Sequence, residues 1–278
     1  MTDPISSKFA DFPDESSDDS VRLQTTPEGV AVVLINRPAR KNAFDVRTIE
    51  ALQEVFDTLA GAEGVRIVFL RGAGGVFSSG ADIDWMREAA SKSEEDNRAD
   101  AYELARMLKA LASLPMLTVA LVEGAAFGGG AGLVAACDMA VATADVVFAF
   151  SEVRIGLMPA TISPYVVQAI GARNARRLFA TGERFGAGEA LRIGLIDKVV
   201  GDAAGLVAAQ ENLAAEIMAC APGAVEEAKR LVDHVAERPI DKALMEETAR
   251  RIAVQRASKE GQEGLAAYLE RRKPGWAQ

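Results

Sequence analysis

The chain is poor in the residues that build metal centres and covalent frameworks. Its 278 residues include one histidine, His234, and two cysteines, Cys137 and Cys220. A single imidazole and the lack of any metal-type Cys/His spacing exclude a zinc site by sequence. Two cysteines in apolar surroundings make no disulfide framework; they predict buried thiols in a reducing compartment. Positive charge is also scarce, with 31 Lys and Arg against 40 Asp and Glu and a net charge of −9. That balance argues against nonspecific binding to nucleic acid or an anionic membrane, but leaves room for a local basic pocket. No apolar signal core opens the chain and no apolar run reaches spanning length, so the sequence predicts a cytoplasmic protein. There is no Gly-Lys-Ser/Thr P-loop and no short-period repeat.

What the chain does have is a glycine-rich centre. Residues 116–122 are an apolar run of strand length, led in by Pro115 and closed by Glu123-Gly124. A continuous apolar run is what a strand covered on both faces requires. Gly124, Gly128, Gly129, Gly130 and Gly132 follow, and then a short apolar segment that reads as a buried helix. Glycines ahead of a helix permit close backbone approach and expose the free N–H groups of its first turn, which stabilise an anion or the oxyanion of a reacting carbonyl. A tight turn against a neighbouring helix explains the same glycines equally well.

Around this centre the pattern alternates. Strands are expected at 30–35, 65–70, 139–142, 146–150 and 198–200. Helices are expected at 46–60 with Asp45 as cap, 85–90, 101–113, 164–170, 172–181 and 188–192. Residues 91–100 are polar and charged and read as a mobile loop, and residues 1–20, with Asp14, Glu15, Asp18 and Asp19, as a disordered acidic tail. From Ala203 onward everything reads as helix, broken near Pro222 and Pro239. The expected organisation is an α/β core over 21–202 and a helical extension over 203–278.

Gly130-Ala131-Gly132-Leu133-Val134-Ala135, with Glu152 twenty residues beyond Gly132, fits a dinucleotide fingerprint in letters only. A loop separates the strand from Gly130 where a dinucleotide fold turns at once, and the following helix is too short.

An ordered set of motifs points elsewhere. It comprises Asn36-Arg37-Pro38 with Asn42-Ala43, Phe77-Ser78-Ser79-Gly80-Ala81-Asp82-Ile83, Gly124-Ala125-Ala126-Phe127-Gly128-Gly129-Gly130, Cys137-Asp138 and Glu152-Val153-Arg154-Ile155-Gly156-Leu157-Met158-Pro159. Thr181 to Phe185, residues 187–196 and Tyr268 to Pro274 complete it. From about Val30 to the C-terminus this resembles the enoyl-CoA hydratase/isomerase (crotonase) family. The resemblance implies a spiral of ββα units with C-terminal helices that support homotrimers or homohexamers. It also implies an acyl-CoA thioester as ligand, with no cofactor beyond the coenzyme A that the substrate carries. By motif position the backbone N–H groups of Ala81 and Gly129 would form an oxyanion hole, where losing one donor costs about 2.7–4 kcal/mol. Ala43, Ala81, Asp82 and Ile83 would hold the adenine, largely through backbone atoms, and Gly128 and Gly132 would be among the substrate- or coenzyme A-binding residues. Arg37, Arg40, Lys41 and Lys273 are candidates for the phosphates, Lys273 reaching from another subunit; each also reads as an ordinary solvated cation.

Hydratases of this family commonly use two glutamates. Glu152 stands at the second position, but the first is Gly132. Either Glu152 is both acid and base, or Glu123 or another acid reaches the water, or the substrate brings its own carboxylate. A dicarboxylic substrate beside two glutamates would suffer about 4 kcal/mol of repulsion per close pair at an effective dielectric of 20, so a glycine would remove charge and make space. Arg154 could then meet the distal carboxylate, unless it serves as a structural salt bridge. Met158-Pro159-Ala160-Thr161-Ile162-Ser163-Pro164-Tyr165 also resembles bacterial hydratases for branched glutaconyl-CoA thioesters of leucine and acyclic-terpene breakdown. The leading expectation is an enoyl-CoA hydratase. The alternatives are a double-bond isomerase, for which one carboxylate suffices, and a non-catalytic acyl-CoA binding protein.

Overall fold

Val30–Ile35 (β2) is buried throughout, and its side chains alternate between two cores, Ala31, Val33 and Ile35 in one, Val30 and Val32 in the other. Ile67–Gly72 (β3) and Leu117–Val122 (β4) divide in the same way, with Val68, Leu70, Ala120 and Val122 opposed to Ile67, Phe69, Val119 and Leu121. Period-two alternation with both sets apolar is the signature of strands covered on both faces. The computed structural model describes residues 20–277 and places these strands at the centre of a six-stranded sheet. Its order is β1 (Val21–Thr25), β2, β3, β4, β6 (Met139–Thr143) and β9 (Lys198–Val200). Only β1 runs antiparallel to its neighbour; every other pairing in this sheet is parallel. A second sheet joins β5 (Ala125–Phe127), β7 (Val147–Ala149) and β8 (Arg184–Gly186).

One face of the larger sheet is covered by α1 (Val46–Ala60), α3 (Glu94–Ala112), α4 (Gly129–Ala136) and α5 (Ser163–Thr181), whose buried residues share one cluster. The other is covered by α7 (Ala203–Met218) through Leu206, Ala209 and Ala214. Short helices α2 (Ile83–Ala89) and α6 (Ala187–Ile193) cap loops, and α8 (Pro222–Val235), α9 (Lys242–Ala257) and α10 (Lys259–Glu270) form the C-terminal extension. The expected mixed α/β architecture is what the chain adopts. Helix α1 begins where Asp45 Oδ1 accepts from Thr48 N at 2.8 Å, and Ile49, Leu52, Phe56 and Leu59 form its buried stripe. Gly171, with φ 73° and ψ 154°, kinks α5 at the residue where the sequence pattern breaks.

Several expectations need correction. The polar stretch 91–100 is not a loop beyond Ser93, because Ser93 Oγ caps Asp96 N and Glu94, Glu95 and Asp96 place negative charge at the start of α3. Cys220 is exposed rather than buried, and Cys137 is half-buried as a whole residue while its thiol is desolvated. Strands β1, β5 and β8 carry no strong apolar run and were not expected, and Ser258 adds a third break among the last helices. The acidic tail lies outside the described residues except for Ser20, whose carbonyl accepts from Asn36 N at 2.8 Å. Among the described residues no helix is long and apolar enough to cross a membrane.

Strands β3 and β4 are parallel neighbours, so both deliver the chain to the same edge of the sheet. The loops that leave them are stitched together there by Phe77 N to Glu123 O (2.9 Å), Ser78 N to Ala125 O (3.0 Å) and Phe127 N to Ser78 O (3.0 Å). Candidate sites in open parallel sheets gather at such carboxyl ends.

Candidate active site

The loop after β3 is held from below by a buried asparagine. Asn42 sits at φ 55° with no solvent exposure, and its amide donates to Ala73 O (2.8 Å) and Val76 O (2.6 Å) while its Oδ1 accepts from Arg37 N (2.8 Å). Arg37 is no free cation. Its guanidinium donates to Ala43 O (2.5 Å) and pairs with Asp82 (3.0 Å) and Asp45 (2.9 Å), which makes it a clamp between this loop and α1 rather than a phosphate contact. The Asp82 side chain is likewise occupied, capping Asp84 N at 2.9 Å. Ala43 is buried beneath the clamp, whereas Ile83 is exposed. Arg40 pairs with Asp84 at 3.0 Å, and Lys41 is exposed with no ion-pair partner among the described residues.

Above the clamp, Phe44 N donates to Gly80 O (2.7 Å) and Asp82 N to Phe44 O (2.8 Å), leaving the Ala81 N–H between them without a backbone acceptor among the described residues. A Cβ on Gly80 would stand 2.9 Å from Phe127 O and 3.8 Å from Gly128 Cα, so this loop touches the start of α4. Gly128 adopts φ 49° and ψ −118°, a conformation closed to side chains, and no side chain caps the helix that follows. The N–H of Gly129, its first residue, therefore has no acceptor among the described residues either. The sequence-predicted pair, Ala81 and Gly129, thus lies on two loops in mutual contact, each with an unused backbone donor.

Glu152 opens a short 3-10 helix after β7, and its Oε1 lies 3.0 Å from where a Gly128 Cβ would be. Its Oε2 is buried without a hydrogen-bond partner among the described residues. Burial raises the carboxyl pKa above the ordinary glutamate value, partly opposed by a bond to its own backbone amide. A desolvated, unpartnered carboxyl beside free backbone donors is the arrangement from which proton transfer is run.

Gly132 does not lie along open space. It is buried, and a Cβ built on it would stand 2.2 Å from Ile162 Cγ2 and 2.8 Å from Ile162 Cβ. The room expected from the missing glutamate is filled by isoleucine; only the loss of charge remains of that reasoning. Glu123 sits at the opposite end of β5 from Gly128, where its charge acts on the half-buried Arg71. The Arg154 Nε donates to Gly182 O at 2.9 Å, a backbone tether rather than a salt bridge. Lys273 is exposed and is not brought to the site of its own chain. Trp276 Nε1 anchors that segment on Ala219 O (3.2 Å), next to Cys220, whose carbonyl accepts from Arg66 at the start of β3, the far end of the strand from the loop. Asp138 is structural, accepting from Thr118 N (2.8 Å) and pairing with Lys229 (2.7 Å).

Sequence reasoning missed Asn42 and Ile162 as site residues. Both stand inside segments that the resemblance singled out, but neither the positive φ of Asn42 nor the packing of Ile162 on Gly132 is written in those segments. Among the described residues no group of His, Cys, Asp or Glu could hold a metal ion.

Residues 25–278 match the family model for enoyl-CoA hydratase/isomerase. The chain belongs to the enoyl-CoA hydratase/isomerase family. An enoyl-CoA hydratase from Shewanella pealeana superposes with a TM-score of 0.88 at 39% identity, covering 92% of this chain and 96% of that one. Pseudomonas aeruginosa AtuE gives 0.89 at 37% identity, covering 93% and 100%. The ethylmalonyl-CoA decarboxylase of Danio rerio is 35% identical over 81% of this chain and 76% of its own. The architecture is the crotonase fold, and this enoyl-CoA hydratase/isomerase family member carries its unpartnered Glu152 beside Gly128 within it.

Proposed function

We propose that the protein hydrates a 2-enoyl-CoA thioester, with Glu152 as the proton carrier. The observation that carries this reading is the Glu152 carboxyl, with one buried oxygen unpartnered, packed against the residue that precedes the free N–H of Gly129. The thioester oxygen would accept from the Ala81 and Gly129 N–H groups, whose fixed dipoles stabilise charge without reorganising. Water attacks Cβ and gives a proton to ionised Glu152. The electron pair of the Cα=Cβ bond moves onto the thioester as an enolate. Glu152 then returns the same proton to Cα, and the product is a 3-hydroxyacyl thioester. Burial suits the first step, since it makes the carboxylate a stronger base than an exposed one. No cofactor enters beyond the coenzyme A of the substrate.

The finer reading is a branched, glutaconyl-type acyl group. It is supported by the single negative charge at the reacting centre, since a substrate carboxylate meets one glutamate instead of two. Lys41, exposed and without an ion-pair partner among the described residues, would meet the coenzyme A phosphates, and Lys273 would contribute from a neighbouring subunit. That assembly, a homotrimer or homohexamer, is supported by exposed Ile252, Val254, Leu265, Tyr268 and Leu269 on α9 and α10. Light scattering in solution tests it.

Double-bond isomerisation is the second reading, favoured by one observation: Gly132 and Ile162 leave no room for another carboxylate, and moving a proton between carbons needs only one. Product analysis over a panel of enoyl-CoA thioesters separates the readings. A 3-hydroxyacyl product supports hydration and a shifted alkene supports isomerisation. Preference for crotonyl-CoA over methylglutaconyl-CoA removes the branched substrate, and no turnover of any thioester removes the enzyme.

A further inference from the structure

Glu152 and Ile162 press on the same helix one turn apart. Glu152 Oε1 lies 3.0 Å from the Cβ position of Gly128, and Ile162 Cγ2 lies 2.2 Å from that of Gly132. Gly132 N donates to Gly128 O at 3.0 Å, so the two glycines stack along the axis, about 6 Å apart at 1.5 Å per residue. Ile162 therefore packs on the helix one turn along from the carboxyl. It cannot swing aside. Its Cβ, fixed to the backbone at the start of α5 where Ile162 O accepts from Val166 N (3.1 Å), is itself 2.8 Å from the Gly132 Cβ position, and the side chain is 2% exposed. Even alanine at 132 would collide with it, and trimming Ile162 to alanine would leave the colliding Cβ in place.

We propose that Ile162 is a specificity-determining residue of this site: it fills the space from which a second acid–base group would reach the substrate, and so confines proton traffic to Glu152. Gly132 is the other half of the device. A carboxylate at 132 is excluded by packing and not merely absent, so the two positions can change only together. The inference rests on the hydration reading above, because it concerns how the proton reaches and leaves the thioester.

Two sets of variants test it. The packing is read by a thermal double-mutant cycle of Gly132→Ala, Ile162→Gly and their combination. Gly132→Ala is expected to lower the unfolding temperature in the wild-type background and to cost little once Ile162 is glycine. Equal losses in both backgrounds would show that Ile162 does not fill the space, and would overturn the proposal. The chemistry is read by hydration rates of enoyl-CoA. A second acid–base group contributes about 10²–10⁴-fold when well placed, so Gly132→Glu/Ile162→Gly is expected to exceed Ile162→Gly alone by at least about tenfold. Should that double variant fail to fold, added formate serves as the missing carboxylate. It is expected to accelerate hydration by Ile162→Gly saturably and to leave wild type unchanged. If no acceleration is seen in either arm with a folded, thioester-binding protein, the specificity role is wrong. A wild-type chain that binds and converts no thioester counts instead against the hydration reading, while the thermal cycle still reports on the packing.

Discussion

Replacing Glu152 by glutamine separates the chemistry from the scaffold. The change is isosteric, so the contact with Gly128 persists while the charge and the base are lost. General acid–base catalysis contributes about 10²–10⁴-fold per group, and here one group both takes and returns the proton. Roles carried by one side chain fall together rather than multiplying, so a loss of about 10⁴-fold in turnover is expected. Binding of a saturated acyl-CoA should change little, because the carbonyl is held by backbone donors. Stability should move in the opposite direction from activity. Burial raises the Glu152 pKa, so in the window between the ordinary glutamate range and that raised value the folded chain binds more protons than the unfolded one. Stability therefore falls as pH rises through the window, and above it the buried anion weakens the native state. Glu152→Gln should unfold at higher temperature than wild type at neutral pH, with the gain vanishing below about pH 4.3. Wild-type kcat/KM should rise with pH through a midpoint above the ordinary glutamate range, since the base must be ionised. Enoyl thioester consumption, calorimetric titration with butanoyl-CoA and thermal unfolding across pH measure all three. Turnover within tenfold of wild type, or a variant less stable than wild type at neutral pH, would refute the reasoning.

Gly128→Ala should cost about 1–3 kcal/mol of stability through its φ of 49°, and about 10²-fold in kcat by pushing the Glu152 carboxyl away from its contact; denaturant titration and steady-state kinetics read the two effects. Asn42→Gly, chosen because glycine tolerates a φ of 55° without strain, orphans two carbonyls and one N–H, and at about 1 kcal/mol each should lower the urea-unfolding free energy by about 3 kcal/mol. With Ellman's reagent the exposed Cys220 should react quickly. Cys137, whose thiol is pushed up by burial and by neighbouring Asp138, should react only on unfolding; two fast equivalents would contradict this.

Much of the central sheet was legible in the chain because its strands are covered on both faces and so read as unbroken apolar runs. Val30–Ile35 is the clearest case. Helix α1 was legible end to end, since Asp45 caps it and its stripe has the helical period. The three-residue strands β5 and β8 were not, because so short an element is defined by its partner and not by its own pattern. Charge misled at 91–100, where acids that suggest a solvated loop instead favour a helix start. It misled again at Arg37, where three partners separated by up to 45 positions turn an apparent phosphate ligand into a clamp.

The candidate site divides along the same line. That glycines precede a buried helix, that Glu152 opens the next motif and that no carboxylate stands at 132 are properties of the chain alone, because they concern which groups are present and at what spacing. That, among the described residues, the Ala81 and Gly129 amides are left unpaired on touching loops and Glu152 Oε2 is buried without a partner, and that Ile162 closes the space over Gly132, were decided only by tertiary packing. Each is a statement about what surrounds an atom, and the neighbours that surround it come from distant parts of the chain.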